Sequence, residues 1–194
     1  MPHGRTGRGL LAIISGPSGV GKSTITRAVR QQLNTLFSIS VTTRPKTAED
    51  ADGVTYSFVS QAEFDRRRDA GDFLEWAEVF GHCYGTPRKP VMDAIAAGKI
   101  VILEIDVQGA IQIKRTLPHA FGVFILPPDE QTLLQRLRDR KREDESVIQR
   151  RFAKAKQEID LAKTSGAYDC FIVNDDLDTA ITQTVDAISD ARQA

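Results

Sequence analysis

Four short apolar runs bounded by turn residues recur along the chain: Leu10–Ser15, Ile100–Ile105, Gly122–Leu126 and Phe171–Val173. They are rich in Val, Ile and Leu and apolar on both faces, which marks strands in a sheet covered by helices on each side. Patterns of helical period lie between and after them, over Gly21–Leu33, Gln108–Leu117, Glu130–Arg140 and Leu177–Ala191. This alternation predicts an α/β fold with a parallel, doubly wound core sheet.

Residues 38–97 break the rhythm. Ser38–Thr42, Tyr56–Val59 and Phe73–Phe80 have strand character with no long helices between them. A helix over Gln61–Ala70 is announced by Ser60 and Glu63, a capping box in which each side chain satisfies an exposed backbone N–H. Another follows Thr86-Pro87 and stops at Gly98. The stretch therefore reads as a mixed α+β insertion. Residues 130–165 are mostly charged helix, with two helices hinged near Lys141–Asp144. No internal repeat or low-complexity tract is visible, and in Phe73–Phe80 the alternation puts Trp76 opposite Glu75, toward the insertion's own core.

Composition narrows the class. At 194 residues with 41% hydrophobic and 27% charged side chains the chain has globular usage, enough for one core with insertions. The formal net charge is zero, which argues against a protein held by global charge on nucleic acid or an anionic membrane. No apolar run approaches the roughly 18 residues of a membrane span. Leu10–Ile14, after Arg5 and Arg8, is too short for a signal sequence. Cys83 and Cys170 are the two cysteines, without CxxC spacing or a neighbouring His cluster, so free thiols in a reducing cytoplasm are expected and a structural zinc is not.

Residues 16–23, Gly16-Pro17-Ser18-Gly19-Val20-Gly21-Lys22-Ser23, complete the GxxxxGK[ST] pattern between a predicted strand and a predicted helix. Such a loop converges backbone N–H groups on phosphate oxygens at a helix N-terminus. Lys22 would reach the β- and γ-phosphates of a nucleoside triphosphate, and the Ser23 hydroxyl would ligate Mg²⁺. Asp106 follows the apolar run at 100–105 and Glu104 shares its strand face; each acid is either a site residue near Mg²⁺ or a cap for the next helix.

Phosphoryl transfer between two anions needs several fixed cations around the moving group. Arg44, Arg136, Arg140 and Arg151 are the candidates. Arg136 and Arg140, four apart, share a helix face. The run RLRDRKR at 136–142 is either a phosphate clamp or a solvated face, and Glu143, Asp144 and Glu145 neutralise it as a nucleic-acid patch.

GPSGVGKST at 16–24, SISVTTR at 38–44, GVTYSFVS at 53–60, FLEWAEVFGHCYGT at 73–86, ILEIDVQGA at 102–110, FILPP at 124–128 and IVNDDLDTA at 172–180 together resemble the guanylate kinase family, from about Leu10 to Ala191. The resemblance implies an ATP:GMP phosphotransferase working with Mg²⁺ in the cytoplasm. It implies three parts: a P-loop core (8–37, 98–129 and 166–194), a GMP-binding insertion (38–97) and a helical lid (130–165). It implies that Ser40, Arg44, Tyr56 and Tyr84 contact the GMP phosphate, that Glu75 and Thr86 read guanine, and that Glu104 and Asp106 lie on the acceptor side. Thr24 ends the ATP-binding loop, Arg136, Arg140 and Arg151 close over the ATP phosphates, and Asn174 lies near the adenine or in the lid's closing contacts. Partners are then the two nucleotides, not nucleic acid or a membrane, with a homo-oligomer left open.

The chemistry agrees with the Glu75 assignment. Guanine offers N1–H and an exocyclic amine as adjacent donors, which one carboxylate accepts together; adenine turns a lone pair toward it. Thr47 stands where the family commonly has a second arginine, with Lys46 as a possible substitute cation. Lys141 replaces a common glycine after Arg140, and Ser146 a common acid. The competing reading is an interaction module of the same fold without catalysis, but such modules typically lose the loop lysine or lid arginines retained here. A kinase acting on a phosphorylated sugar would have no use for Glu75 with Thr86.

Overall fold

The computed structural model describes residues 8–48, 50–53, 56–79, 81–139 and 144–194. In chain order its elements are β1 (Leu10–Ser15), α1 (Lys22–Leu33), β2 (Leu36–Phe37), β3 (Val41–Thr42), β4 (Ser57–Phe58), α2 (Gln61–Asp69), β5 (Phe73–Val79), β6 (His82–Pro87), α3 (Arg88–Ala96) and β7 (Ile100–Glu104). There follow α4 (Val107–Thr116), β8 (Phe121–Leu126), α5 (Glu130–Asp139), α6 (Glu145–Ser165), β9 (Cys170–Val173) and α7 (Leu177–Gln193).

The core sheet is parallel throughout and ordered β2-β7-β1-β8-β9. Side chains alternate across it as period-2 strands require. Leu10, Ala12 and Ile14 pack with Ile102, Ile125 and residues of α1 and α7 on one face. Leu11 and Ile13 pack with Leu103, Phe124 and residues of α3, α4 and α6 on the other. Both faces are covered, so the strands carry no polar alternation. β1 lies between β7 and β8, and the loop after it opens at the sheet's carboxyl end, where chain order reverses and open α/β folds hold their ligands.

A second sheet, ordered β4-β3-β6-β5, pairs β3 with β4 in parallel and its other strands antiparallel. One face carries a small core of Val41, Phe64, Phe73 and Cys83, in which the Phe64 and Phe73 rings stack at 4.7 Å. The other face carries Glu75, Tyr84 and Thr86, since Glu75 pairs with Thr86 and Ala77 with Tyr84. α5 and α6 pack together through Leu133, Leu137, Ile148 and Ala155.

Several local expectations change. Only Val41–Thr42 of the 38–42 run is a strand, and Leu36–Phe37, not expected to be one, pairs with Val101 and Ile102 at the core sheet's edge. The 56–59 run shortens to Ser57–Phe58, with Tyr56 bridging to Asp52 instead. His82–Pro87 is a full strand, hidden in the sequence because Gly85 and Pro87 read as turn residues; a Cβ at Gly85 would lie 2.9 Å from the Phe73 ring. Phe80 and the predicted hinge residues 141–143 lie outside the described residues.

The α2 cap is half of the predicted box. Ser60 Oγ accepts from the Glu63 N–H at 3.2 Å, but Glu63 turns its carboxylate to Arg66 and Arg67, whose charges outcompete a neutral N–H. Trp76 takes the face opposite Glu75 but is not in the core. It lies on edge strand β5, 39% exposed, with the Arg68 guanidinium 5.4 Å from its ring centroid.

Candidate active site

The loop after β1 is built by glycine. Gly21 has φ 94° at the N-cap of α1, a left-handed conformation that side chains resist, and a Cβ there would lie 2.6 Å from Asn174 Nδ2. Lys22 Nζ donates to the Gly16 carbonyl at 2.6 Å and to the Pro17 carbonyl at 3.1 Å, which holds the ammonium across the loop mouth. Ser18 and Gly19 form its half-buried tip, Val20 is buried beneath it, and Thr24 N bonds back to the Gly21 carbonyl.

Ser23, exposed in the first turn of α1, donates its hydroxyl to Glu104 Oε1 at 2.7 Å. Glu104 is the last residue of β7, so this bond joins the phosphate loop to the neighbouring strand's carboxyl end. A cavity of about 610 Å³ opens beside it, bounded by Ser23, Glu104, Ser40, Tyr56, Arg30 and Phe37. Asp106 lies beyond the strand and caps α4, accepting from Gly109 N at 2.8 Å. The helix-cap reading thus describes Asp106 but not Glu104.

Around the cavity, Arg44 is held from several sides. Its Nη2 meets Asp50 Oδ1 at 2.9 Å, Nη1 reaches the Pro45 carbonyl at 3.1 Å, and its guanidinium carbon lies 5.4 Å from the Tyr56 ring centroid. Asp50 also accepts from Thr47 N and Thr47 Oγ1, each at 2.8 Å. These bonds hold the Asp50 carboxyl well below the usual carboxylate range, the Arg44 contact most of all. Tyr56 and Tyr84 meet edge to face at 5.7 Å.

Deeper in the insertion, Glu75 is 6% exposed and receives the Thr86 hydroxyl. Burial pushes its carboxyl up to about 7, opposed by the Thr86 bond and assisted by the negative charge of Asp106. A carboxylate desolvated this far, with the neutral hydroxyl and N–H of Thr86 as its donors, stands ready for further donors.

On the far side of the phosphate loop, buried Asn174 gives its side-chain amide to the Val20 carbonyl at 2.7 Å, and its own carbonyl receives Arg136 Nη1 at 3.0 Å. Arg151 sits half-buried on α6, and Arg140 lies outside the described residues. The structure therefore brings together Ser23, Ser40, Arg44, Tyr56, Tyr84 and Glu104 as one group, Glu75, Thr86 and Asp106 as a second, and Asn174 and Arg136 as a third behind the loop. Sequence reasoning missed Asp50, which belongs to an acid-rich turn with no periodicity. It missed Gln112 as well, whose polar side chain on α4 reads as an ordinary solvated position.

A phosphate loop on the central strand of a doubly wound sheet, facing a small second sheet across a cavity, is the arrangement of a P-loop nucleoside monophosphate kinase. The family model for guanylate kinase matches residues 8–191. A guanylate kinase of Thermosynechococcus vestitus is 48% identical over 181 residues, covering 93% of each chain, and one from Carboxydothermus hydrogenoformans is 47% identical over 175 residues, 90% of this chain and 84% of the relative. The crystal structure of guanylate kinase from Anaplasma phagocytophilum superposes with a TM-score of 0.77 at 30% identity, over 97% of this chain and 88% of that one. The chain belongs to the guanylate kinase family. It is an enzyme of that family rather than an interaction module, and its fold is the α/β P-loop core with a mixed insertion and a helical pair that the sequence led us to expect.

Proposed function

We propose that the site transfers the γ-phosphoryl group of ATP to the phosphate of GMP, giving ADP and GDP. The observation that carries the residue assignment is the Ser23–Glu104 bond, which sets the triphosphate loop and the acceptor cavity at one strand end. On this reading the loop amides of Gly16–Thr24 and Lys22 hold the β- and γ-phosphates, and Lys22 exchanges its loop carbonyls for phosphate oxygens. Ser40, Arg44, Tyr56 and Tyr84 hold the GMP phosphate in line with the γ-phosphorus. Glu75 and Thr86 select guanine, with Asp106 bounding that pocket, and Arg136, Arg140 and Arg151 neutralise charge on the donor side.

The residues present suit Mg²⁺. Ser23 Oγ and Glu104 Oε1 are hard oxygen donors 2.7 Å apart, of the kind that holds Mg²⁺ together with nucleotide phosphates and water. Ser23, with Glu104 beside it, would hold Mg²⁺, and the ion would supply positive charge that offsets the negative charge of the nucleotide phosphates. We assign 38–97 as the acceptor-binding part and 130–165 as the lid, on the core of 8–37, 98–129 and 166–194. No described helix is long and apolar enough to cross a membrane, and free Cys83 and Cys170 fit a reducing cytoplasm.

A coupled assay of ADP formation with ATP and each of GMP, AMP, UMP and CMP tests this reading. GMP is expected to be preferred strongly; comparable rates with AMP would remove the role given to Glu75.

A further inference from the structure

β5 is the outer strand of its sheet, so alternate backbone groups along its free edge face away from β6. At Trp76 both are taken by one side chain from the helix after β7. Trp76 N donates to Gln112 Oε1 at 3.2 Å, and Gln112 Nε2 donates to the Trp76 carbonyl at 2.9 Å. A glutamine amide thus completes the strand edge one residue from Glu75, as a neighbouring strand would.

Gly109 lies three positions before Gln112 on the same face of α4, and it is buried. A Cβ at Gly109 would lie 2.8 Å from Glu75 Oε2 and 3.2 Å from Glu75 Cδ. Its φ is not positive, so the backbone does not call for glycine there, and glycine is unfavourable inside a helix. What the position needs is room for the Glu75 carboxylate.

We propose that Gly109 and Gln112 are positioning residues for base selection. Gln112 fixes the main chain beside Glu75, and Gly109 lets its carboxylate seat against α4, so the pair sets how sharply guanine is preferred to adenine in the purine monophosphate. The proposal rests on the reading of Glu75 as the base-reading group. Two acceptor oxygens serve adjacent guanine donors only when their placement is held closely, since hydrogen bonds weaken steeply with misalignment. A helix of the core thereby governs the specificity of the insertion.

The test is steady-state kinetics of full-length Gln112→Met, Gly109→Ala and Glu75→Gln with GMP and with AMP, alongside KM for ATP and the melting temperature. Gln112→Met keeps the volume and loses both hydrogen bonds. It should cut kcat/KM for GMP by about tenfold, as loss of one anchoring contact does, while AMP changes by less than about twofold and KM for ATP stays put. Gly109→Ala should narrow the GMP-to-AMP ratio further. If Gly109→Ala does not fold, Gln112→Met decides alone. A ratio within about twofold of the parent protein's overturns the proposal, as does a proportional fall for both substrates, the result of lost packing alone. A narrowed ratio in Glu75→Gln with no change in the other two keeps the base-reading role and discards the positioning one; an unchanged ratio in Glu75→Gln discards both.

Discussion

Asn174 donates its side-chain amide to the Val20 carbonyl at 2.7 Å, across 154 positions of sequence. The bond ties the start of the last crossover to the floor of the phosphate loop, while the Asn174 carbonyl receives Arg136 of α5. One residue therefore sets the loop's shape and the position of an arginine assigned to the donor phosphates.

Asn174→Ala leaves the Val20 carbonyl without that partner in a buried setting. The expected cost is about 1–3 kcal/mol of stability, with a raised KM for ATP and little change for GMP. Urea denaturation and substrate titrations check this; an unaltered KM for ATP would confine Asn174 to a structural role.

Lys22→Ala removes the ammonium now held by the Gly16 and Pro17 carbonyls. Because that charge acts chiefly on the transition state, kcat should fall by well over tenfold, each tenfold corresponding to about 1.4 kcal/mol. The melting temperature should change little. A variant retaining a tenth or more of the parent kcat would refute the assignment.

Asp50 holds Arg44 and is itself held by Thr47, so Thr47 acts on the guanidinium through that carboxylate. Asp50→Asn should raise KM for GMP several-fold and leave KM for ATP alone. Since the Asp50 carboxyl lies well below the usual range, the ion pair should persist from about pH 5 upward and contribute no slope to GMP affinity there. Exposed Lys46 gives the comparison: if Lys46→Ala raises KM for GMP in the same way and high salt shrinks the effect, that lysine also reaches the phosphate.

The Glu75 carboxyl, raised to about 7, makes guanine selection depend on pH. Only the ionised form accepts from both guanine donors, so kcat/KM for GMP should fall as pH drops through about 7, and Glu75→Gln should abolish that limb. Stability runs the other way. Below the ordinary value of 4.5 the carboxyl is protonated whether the chain is folded or not. Above it the unfolded chain releases the proton while the folded one keeps it up to about 7, so stability declines with rising pH across that window. Glu75→Gln should flatten the decline, as measured by melting temperature against pH.

The core sheet was legible because buried parallel strands leave uninterrupted apolar runs, and the phosphate loop because its chemistry demands particular residues at fixed spacing. The insertion was less so. β3 and β4 are two residues each and carry no period, while β6 is disguised by Gly85 and Pro87. Trp76 shows the limit of alternation, which gives the face of a strand but not whether that face is covered at its edge. Asp50 and Gln112 act through partners brought near only by folding, and no local pattern announces such pairings.

Among the described residues the second sheet's own core holds four buried hydrophobic side chains, and its outer strand is finished by a glutamine that the chain reaches after returning to the main sheet. Residues 38–97 are therefore not a portable cassette. Grafted onto another P-loop scaffold, they would arrive with a raw edge and a carboxylate lacking its seat, unless the recipient's helix already offered the counterparts of Gly109 and Gln112. Exchanges of acceptor preference between such kinases should succeed when the cut falls after α4, and yield poorly folded, indiscriminate hybrids when it falls before.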